Sequence, residues 1–348
     1  MKTHRSVLIH TLLACGLVVA FGVQAQSAPQ IVWSVPTPSG LSNSIVGVAW
    51  SPAGGRVAVG STDRWARART ASNGALQWST LQVPIGSGTA DQMIFSNDSA
   101  LVAVHNSGQG WTFRVHRASD GVFIGKLVGT LQPNNIATFA PDAQLASATG
   151  DATFNNWRLS SFATVKVIGS GYKKIVTSFV FSPNGLLQAS ATQGTITIQR
   201  RSDGATVRML TGGNLRSTTP MAFSPDNTTL AEYQTNPNET TLFRISDGAV
   251  LRHFPVQPSN EGVVAVRFSP GGTRLVTTGW RAFEGSDGLW DQVGTIKFWR
   301  VSDGALRRNF EAGTGIGVTS PVAWNPDFTR FAYGTYVGRA VVAVVPPP

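Results

Sequence analysis

The chain has 348 residues, 42% of them hydrophobic and 13% charged, with a formal net charge of +10 from 28 Lys and Arg against 18 Asp and Glu. Cys15 is the single cysteine. This excludes a disulfide framework and a cysteine-built zinc site, so stability must come from packing. The basic residues are dispersed and follow no nucleic-acid fold signature, which argues against a nucleic-acid partner.

Residues 1–25 read as an export signal. Lys2 and Arg5 form a basic start, residues 7–22 are largely apolar, and Val23-Gln24-Ala25 offers small residues for cleavage. The apolar run contains His10 and is too short to span a membrane comfortably. Residues 12–15 (LLAC) also match a lipobox, the alternative being lipid anchoring through Cys15. Against it, residues 16–21 stay apolar where a lipidated mature end turns polar. The expected mature chain is residues 26–348, one domain, periplasmic or secreted. Loss of Lys2 and Arg5 leaves it at +8.

Residues 30–36 (QIVWSVP) are predicted to form a strand set apart from the rest of the chain. They resemble residues 76–81 (LQWSTL), with Trp33 standing where Trp78 does.

From Ile45 onward one pattern recurs, and residues 177–212 are its clearest copy. Three short β-branched runs and a fourth, amphipathic one are separated by S-P-N-G, a Gln-Gly turn and S-D-G. Proline fixes φ and removes a backbone donor, and Asn-Gly or Asp-Gly tolerates positive φ, so each mark ends a strand and reverses the chain. The unit is a four-stranded antiparallel meander. Alone it cannot bury both faces, so it needs copies on either side.

Those copies are marked by the aromatic that ends the first strand: Trp50, Phe95, Phe139, Phe181, Phe223, Phe268 and Trp324. Most spacings are 42 to 45 residues and one is 56. A second marker closes the third strand at Asn73-Gly74, Asp120-Gly121, Asp203-Gly204, Asp247-Gly248 and Asp303-Gly304, while the third repeat has Ser160-Ser161-Phe162 there. Alternation within strands, as at Val264, Val266 and Phe268, or Leu186 with its neighbours, supports the boundaries. These are 45–81, 89–129, 134–169, 176–212, 218–256, 263–313 and 318–345. The sixth repeat is longest because residues 280–293 are inserted between its second and third strands, as a surface loop. The last has three strands and lacks a fourth, so residues 30–36 are predicted to complete it and leave no open edge.

The blocks resemble the WD-repeat β-propeller family, on the F-S-P-D-type turns and on residues 294–304 (GTIKFWRVSDG). The resemblance implies an all-β fold: a seven-bladed β-propeller of four-stranded antiparallel blades, its last blade closed by the N-terminal strand. Two departures stand out. Arginine replaces the W-D aspartate at Arg117, Arg158, Arg200, Arg244 and Arg300, and the Gly-His dipeptide is missing. The family's buried Asp-His-Ser-Trp network is therefore not carried over.

Motifs for chemistry are sparse. The mature histidines, His105, His116 and His253, fall in different repeats or strands without metal-ligand spacing, and no nucleophile elbow or phosphate loop occurs. They read as ordinary surface or half-buried histidines. One Asp or Asn per turn, followed by Gly, is turn chemistry rather than a calcium array. The arginine series forms either a basic ring or a set of local pairs with the turn carboxylates. No catalytic residue, metal or cofactor is assigned.

The turns between second and third strands and between repeats share the opposite end. They carry Arg64, Trp65, Trp111, Tyr172, Lys173, Trp280, Arg281, Phe283 and Trp290. Trp, Tyr and Arg combine contact area with donors and so anchor binding. The expected function is a non-catalytic scaffold that takes a protein or peptide on this end. The alternatives are a lactonase-like propeller hydrolase or lyase with a central site, and a binder of anionic envelope polysaccharide or lipid.

Overall fold

A computed structural model of the chain describes residues 29–37, 43–82, 89–106, 112–128, 136–141, 144–148, 153–158, 163–169, 176–192, 194–212, 219–256, 260–284, 290–311, 322–335 and 337–345. Residues 1–28, with Cys15, lie outside them, as do Trp111, Tyr172 and Lys173.

The described chain is all β. After β1 (Ile31–Pro36), the first sheet holds β2 (Ile45–Trp50), β3 (Arg56–Ser61), β4 (Trp65–Thr70) and β5 (Leu76–Leu81). The second holds β6 (Ala90–Phe95), β7 (Leu101–Asn106), β8 (Thr112–Arg117) and β9 (Phe123–Val128). The third holds β10 (Ile136–Phe139), β11 (Gln144–Ala148), β12 (Thr153–Arg158) and β13 (Ala163–Gly169). The fourth holds β14 (Ser178–Phe181), β15 (Leu187–Thr192), β16 (Thr195–Arg200) and β17 (Thr206–Thr211). The fifth holds β18 (Met221–Phe223), β19 (Thr229–Thr235), β20 (Asn238–Arg244) and β21 (Val250–Pro255). The sixth holds β22 (Glu261–Phe268), β23 (Arg274–Glu284), β24 (Trp290–Arg300) and β25 (Leu306–Glu311). In the last sheet, β26 (Ala323–Trp324), β27 (Arg330–Gly334) and β28 (Arg339–Val344) are joined by β1. Every sheet is an antiparallel meander of four strands, except that β1 returns from the far end of the chain to pair with β28.

The core lies between sheets. Ala66, Ala68 and Trp78 of the first sheet pack on Met93, Phe95 and Val104 of the second. Ile196, Ile198 and Leu210 of the fourth meet Leu230 and Phe243 of the fifth. Trp33 and Val342 of the last sheet cluster with Ile45, Trp50 and Val57 of the first. The middle strands thus bury side chains on both faces, which explains their near-continuous apolar runs, while outer strands such as β5 and β17 stay largely exposed.

Outer strands add a repeated clasp. The Trp78 indole donates to the Ala118 carbonyl at 2.9 Å, across the turn that ends the third strand of the next sheet. Gly121 in that turn has φ +75, and a Cβ there would sit 2.7 Å from the Trp78 ring. Trp33 repeats the arrangement on the first sheet, donating 2.9 Å to the Ala71 carbonyl with its ring over Gly74. The likeness between residues 30–36 and 76–81 therefore has a physical basis: both tryptophans are the outer-strand residue that holds the following sheet.

Two expectations are corrected. Residues 280–293 are not a surface loop throughout. The flanking strands continue through them, with Glu284 paired to Trp290 and Trp280 to Gly294, leaving 285–289 outside the described residues. The alternation at Val264 also fails, because a register shift between Val263 and Ala265 leaves Val264 39% exposed while Val263 is buried. Leu186 precedes its strand and is exposed.

Candidate functional site

The turns at the two ends of the sheets differ in what their polar groups do. At one end, Ser96 donates to Asp98 at 2.5 Å, and the Ala100 N–H donates to the same carboxylate oxygen at 3.0 Å. Ser182 with Asn184 and Ser224 with Asp226 repeat the motif. The Ser96 hydroxyl and the Ala100 N–H hold the Asp98 carboxyl below its usual range. These acids complete turns and accept from their own backbone.

The arginine series resolves the same way. Arg117 pairs with Asp120 at 2.7 Å, Arg200 with Asp203 at 2.6 Å and Arg244 with Asp247 at 2.9 Å, and Arg300 pairs with Asp303. All are solvent-exposed pairs three residues apart, which contribute little to stability. The side chain of Arg158 lies outside the described residues. The positive charge of the four is met locally.

At the other end, Arg64 occupies the β3–β4 turn with φ 73, and Trp65 opens β4, half-buried. Beneath them Arg67 binds Asp63 at 2.6 Å, both nearly buried, and Ser61 donates to the same carboxylate. Burial pushes the Asp63 carboxyl up, but bonds from Arg67, Ser61 and the Trp65 N–H outweigh it and hold the group below its usual value. The Arg67 guanidinium lies 5.8 Å from the Trp65 ring centroid, so one face of that indole is already covered.

The long β23–β24 hairpin carries the other predicted anchors. Its strands have 11 residues where β3 and β4 have six, an excess of about 16 Å per strand. At its base the Trp280 ring lies over Gly262, where a Cβ would come within 2.9 Å. The Ala282 N–H donates to Asn260 at 3.1 Å. Arg281 pairs with Glu311 at 2.6 Å, and its guanidinium stands 6.0 Å from the Phe283 ring. Trp280, Arg281 and Phe283 are all half-exposed. Trp290 is placed in β24, but its side chain is outside the described residues.

Below this arm lies a buried ionic group that sequence reasoning missed. Lys297 donates to Glu261 at 2.5 Å and Thr295 donates to the same carboxylate at 2.8 Å, with Lys297 2% and Glu261 5% exposed.

A cavity of about 770 Å³ is lined by the first strands of all seven sheets. Among the described residues its charged or titratable lining groups are Asp91, His105 and Arg267. His105 Nδ1 lies 2.6 Å from Asp91 Oδ1, and the imidazole lies tilted at 41° to the Phe113 ring, 4.7 Å between centroids. His105 and His116 do not form a pair: His105 opposes Phe113 across β7 and β8, while His116 opposes Val102. His116 is fully buried, facing the Gly121 carbonyl at 3.0 Å and Gln82 at 3.1 Å, beside Trp78 and Phe123. It is thus more enclosed than the sequence foretold, and burial lowers its pKa. Among the described residues no group of three or more His, Cys, Asp or Glu converges as a metal site, and no helix is long and apolar enough to cross a membrane.

No model of a known protein family matches the chain, and no curated protein matches it either.

Proposed function

We propose that the chain is an exported seven-bladed β-propeller of the WD-repeat type that acts as a non-catalytic scaffold, taking a protein or peptide partner on its loop-rich end. Support for a closed ring comes from the cavity shared by all first strands and from the Trp33 clasp, which joins the last sheet to the first. The observation that carries the binding role is the β23–β24 arm. It overhangs its sheet, is braced at its base by Asn260 and Glu311, and offers half-exposed Trp280, Arg281 and Phe283. Braced aromatic and guanidinium groups lose little freedom on contact, and they are the groups that dominate interface energies. The anionic-surface alternative has less support, because the exposed arginines of the third-strand turns already hold aspartates.

The test compares the wild type with a Trp280→Ala/Phe283→Ala variant as baits in an envelope extract. A protein retained by the wild type and lost by the variant, at a urea midpoint displaced by less than about 0.5 M, is the expected result. Equal capture would remove the arm from the interface. Unfolding of the variant would make both rings core and refute the assignment.

A further inference from the structure

The central cavity has one residue that breaks its own pattern. Immediately before the strand-ending aromatic, six first strands carry Ala49, Ile94, Thr138, Val180, Ala222 and Ala323, all uncharged. The seventh carries Arg267, in β22, and its side chain is exposed to the cavity that it lines. It donates 3.1 Å to the Val266 carbonyl of its own backbone, and no carboxylate of the described residues lies within ion-pair distance.

Arg267 is exposed and borders the cavity, and the protein around it disfavours the charge and lowers its pKa. The other charge on the lining, Asp91, belongs to the second sheet and is bonded to His105. It stands four residues before its aromatic where Arg267 stands one before, an offset of about 10 Å along the strand direction. Among the described residues the guanidinium thus has no carboxylate beside it, and the six matching positions around the cavity are uncharged. A cation that borders a cavity in this way can take an anionic ligand, and a guanidinium fork matches a carboxylate in two parallel bonds.

We propose that the cavity binds a small organic monoanion, its carboxylate taken by Arg267 and its apolar body lying against the neighbouring alanine, valine and isoleucine side chains. A volume of about 770 Å³ suits a molecule of that size. This site is separate from the arm, so either can fail without the other.

Hexanoate is the probe, titrated calorimetrically into the full chain, with 1-hexanol as its uncharged counterpart and inorganic phosphate as an anion without an apolar body. The expected result is saturable hexanoate binding that falls at least about tenfold in Arg267→Met and is unchanged in Arg200→Met, whose arginine pairs with Asp203 on an outer turn. No hexanoate binding, or equal binding by Arg267→Met, overturns the site. Phosphate binding as tight as hexanoate overturns its apolar half. Should Arg267→Met not fold, phenylglyoxal modification of the wild type with peptide mapping reads the same contact. Protection of Arg267 by hexanoate supports the site, and modification at an unchanged rate refutes it.

Discussion

Truncating Trp33 to alanine probes whether the last sheet is fastened to the first. The indole is 7% exposed, lies over Gly74 and donates 2.9 Å to the Ala71 carbonyl. A buried tryptophan hides about 200 Å², which at about 25 cal/mol/Å² sets an upper bound near 5 kcal/mol. Truncations of this size cost about 3–5 kcal/mol, with the stranded carbonyl adding about 1. A loss of about 4 kcal/mol is expected, and with a urea slope of about 3 kcal/mol/M the midpoint falls by about 1.3 M. Trp78 supplies the internal standard, since it has the same 7% exposure and the same indole-to-carbonyl bond on the next sheet. In a closed ring every interface is equivalent, so Trp33→Ala and Trp78→Ala should agree within about 1 kcal/mol. In an open stack the Trp33 contact would be terminal, and its loss would release only β1. A Trp33→Ala midpoint within about 0.3 M of wild type, beside a large shift for Trp78→Ala, would falsify the closed arrangement.

The buried ion pair and the acid response give further tests. Lys297→Met leaves the Glu261 carboxylate buried with Thr295 alone and should cost about 3–5 kcal/mol, whereas Glu261→Gln/Lys297→Met together should recover most of it. Urea unfolding of both variants decides this, and a double variant as unstable as the single one would show that packing, not charge, is at stake. Burial lowers the His116 pKa, so the unfolded chain takes that proton more readily than the folded one. Its contribution is fully present above pH about 6.5 and declines as pH falls towards the lowered folded value. Stability measured from pH 5 to 7 should slope less in His116→Gln, and an unaltered slope would remove His116 from the account. Below pH about 4 a second decline is expected, because Asp98 and Asp226 titrate lower folded than unfolded.

Much of this fold could be read from residue order because the same local physics recurs. Ser-Pro-Asp and Asp-Gly marks stop strands, and the aromatic before each mark fixes its phase. The N-terminal strand was legible through one residue, since Trp33 stands where Trp78 does and performs the same clasp. The arm was not, although a signal existed: residues 286–288 are Ser-Asp-Gly, the mark that reverses the chain elsewhere, flanked here by runs rich in Trp and Phe. Reading the whole insertion as a loop ignored that mark. Arg267 escaped for a different reason. Val266 is buried and Arg267 is exposed, but the strand pattern singled out only Val264, Val266 and Phe268. Sequence alone does not tell outer solvent from an enclosed cavity. Of the predicted anchors, Trp65 proved to be partly occupied by Arg67, and Trp280 by Gly262.

A repeated architecture makes departures informative. Where seven copies solve the same packing problem, a residue type that recurs needs only a structural explanation, and the arginines of the third-strand turns have one in their aspartates. A residue that appears once, against six copies that do without it, is not required by the repeat. Two features of the described residues that are of that kind are the 11-residue strands of the sixth sheet and the charged side chain at Arg267. Both belong to the same sheet, one at its overhanging end and one on its cavity face. The Lys297–Glu261 pair, also confined to that sheet, lies between them in the core and fixes the start of β22 against β24. A local rule is broken without evident gain in packing mainly where something other than packing is selected. The sixth sheet is thus where function should be sought first, by substitutions there that leave the midpoint alone and change what the protein holds.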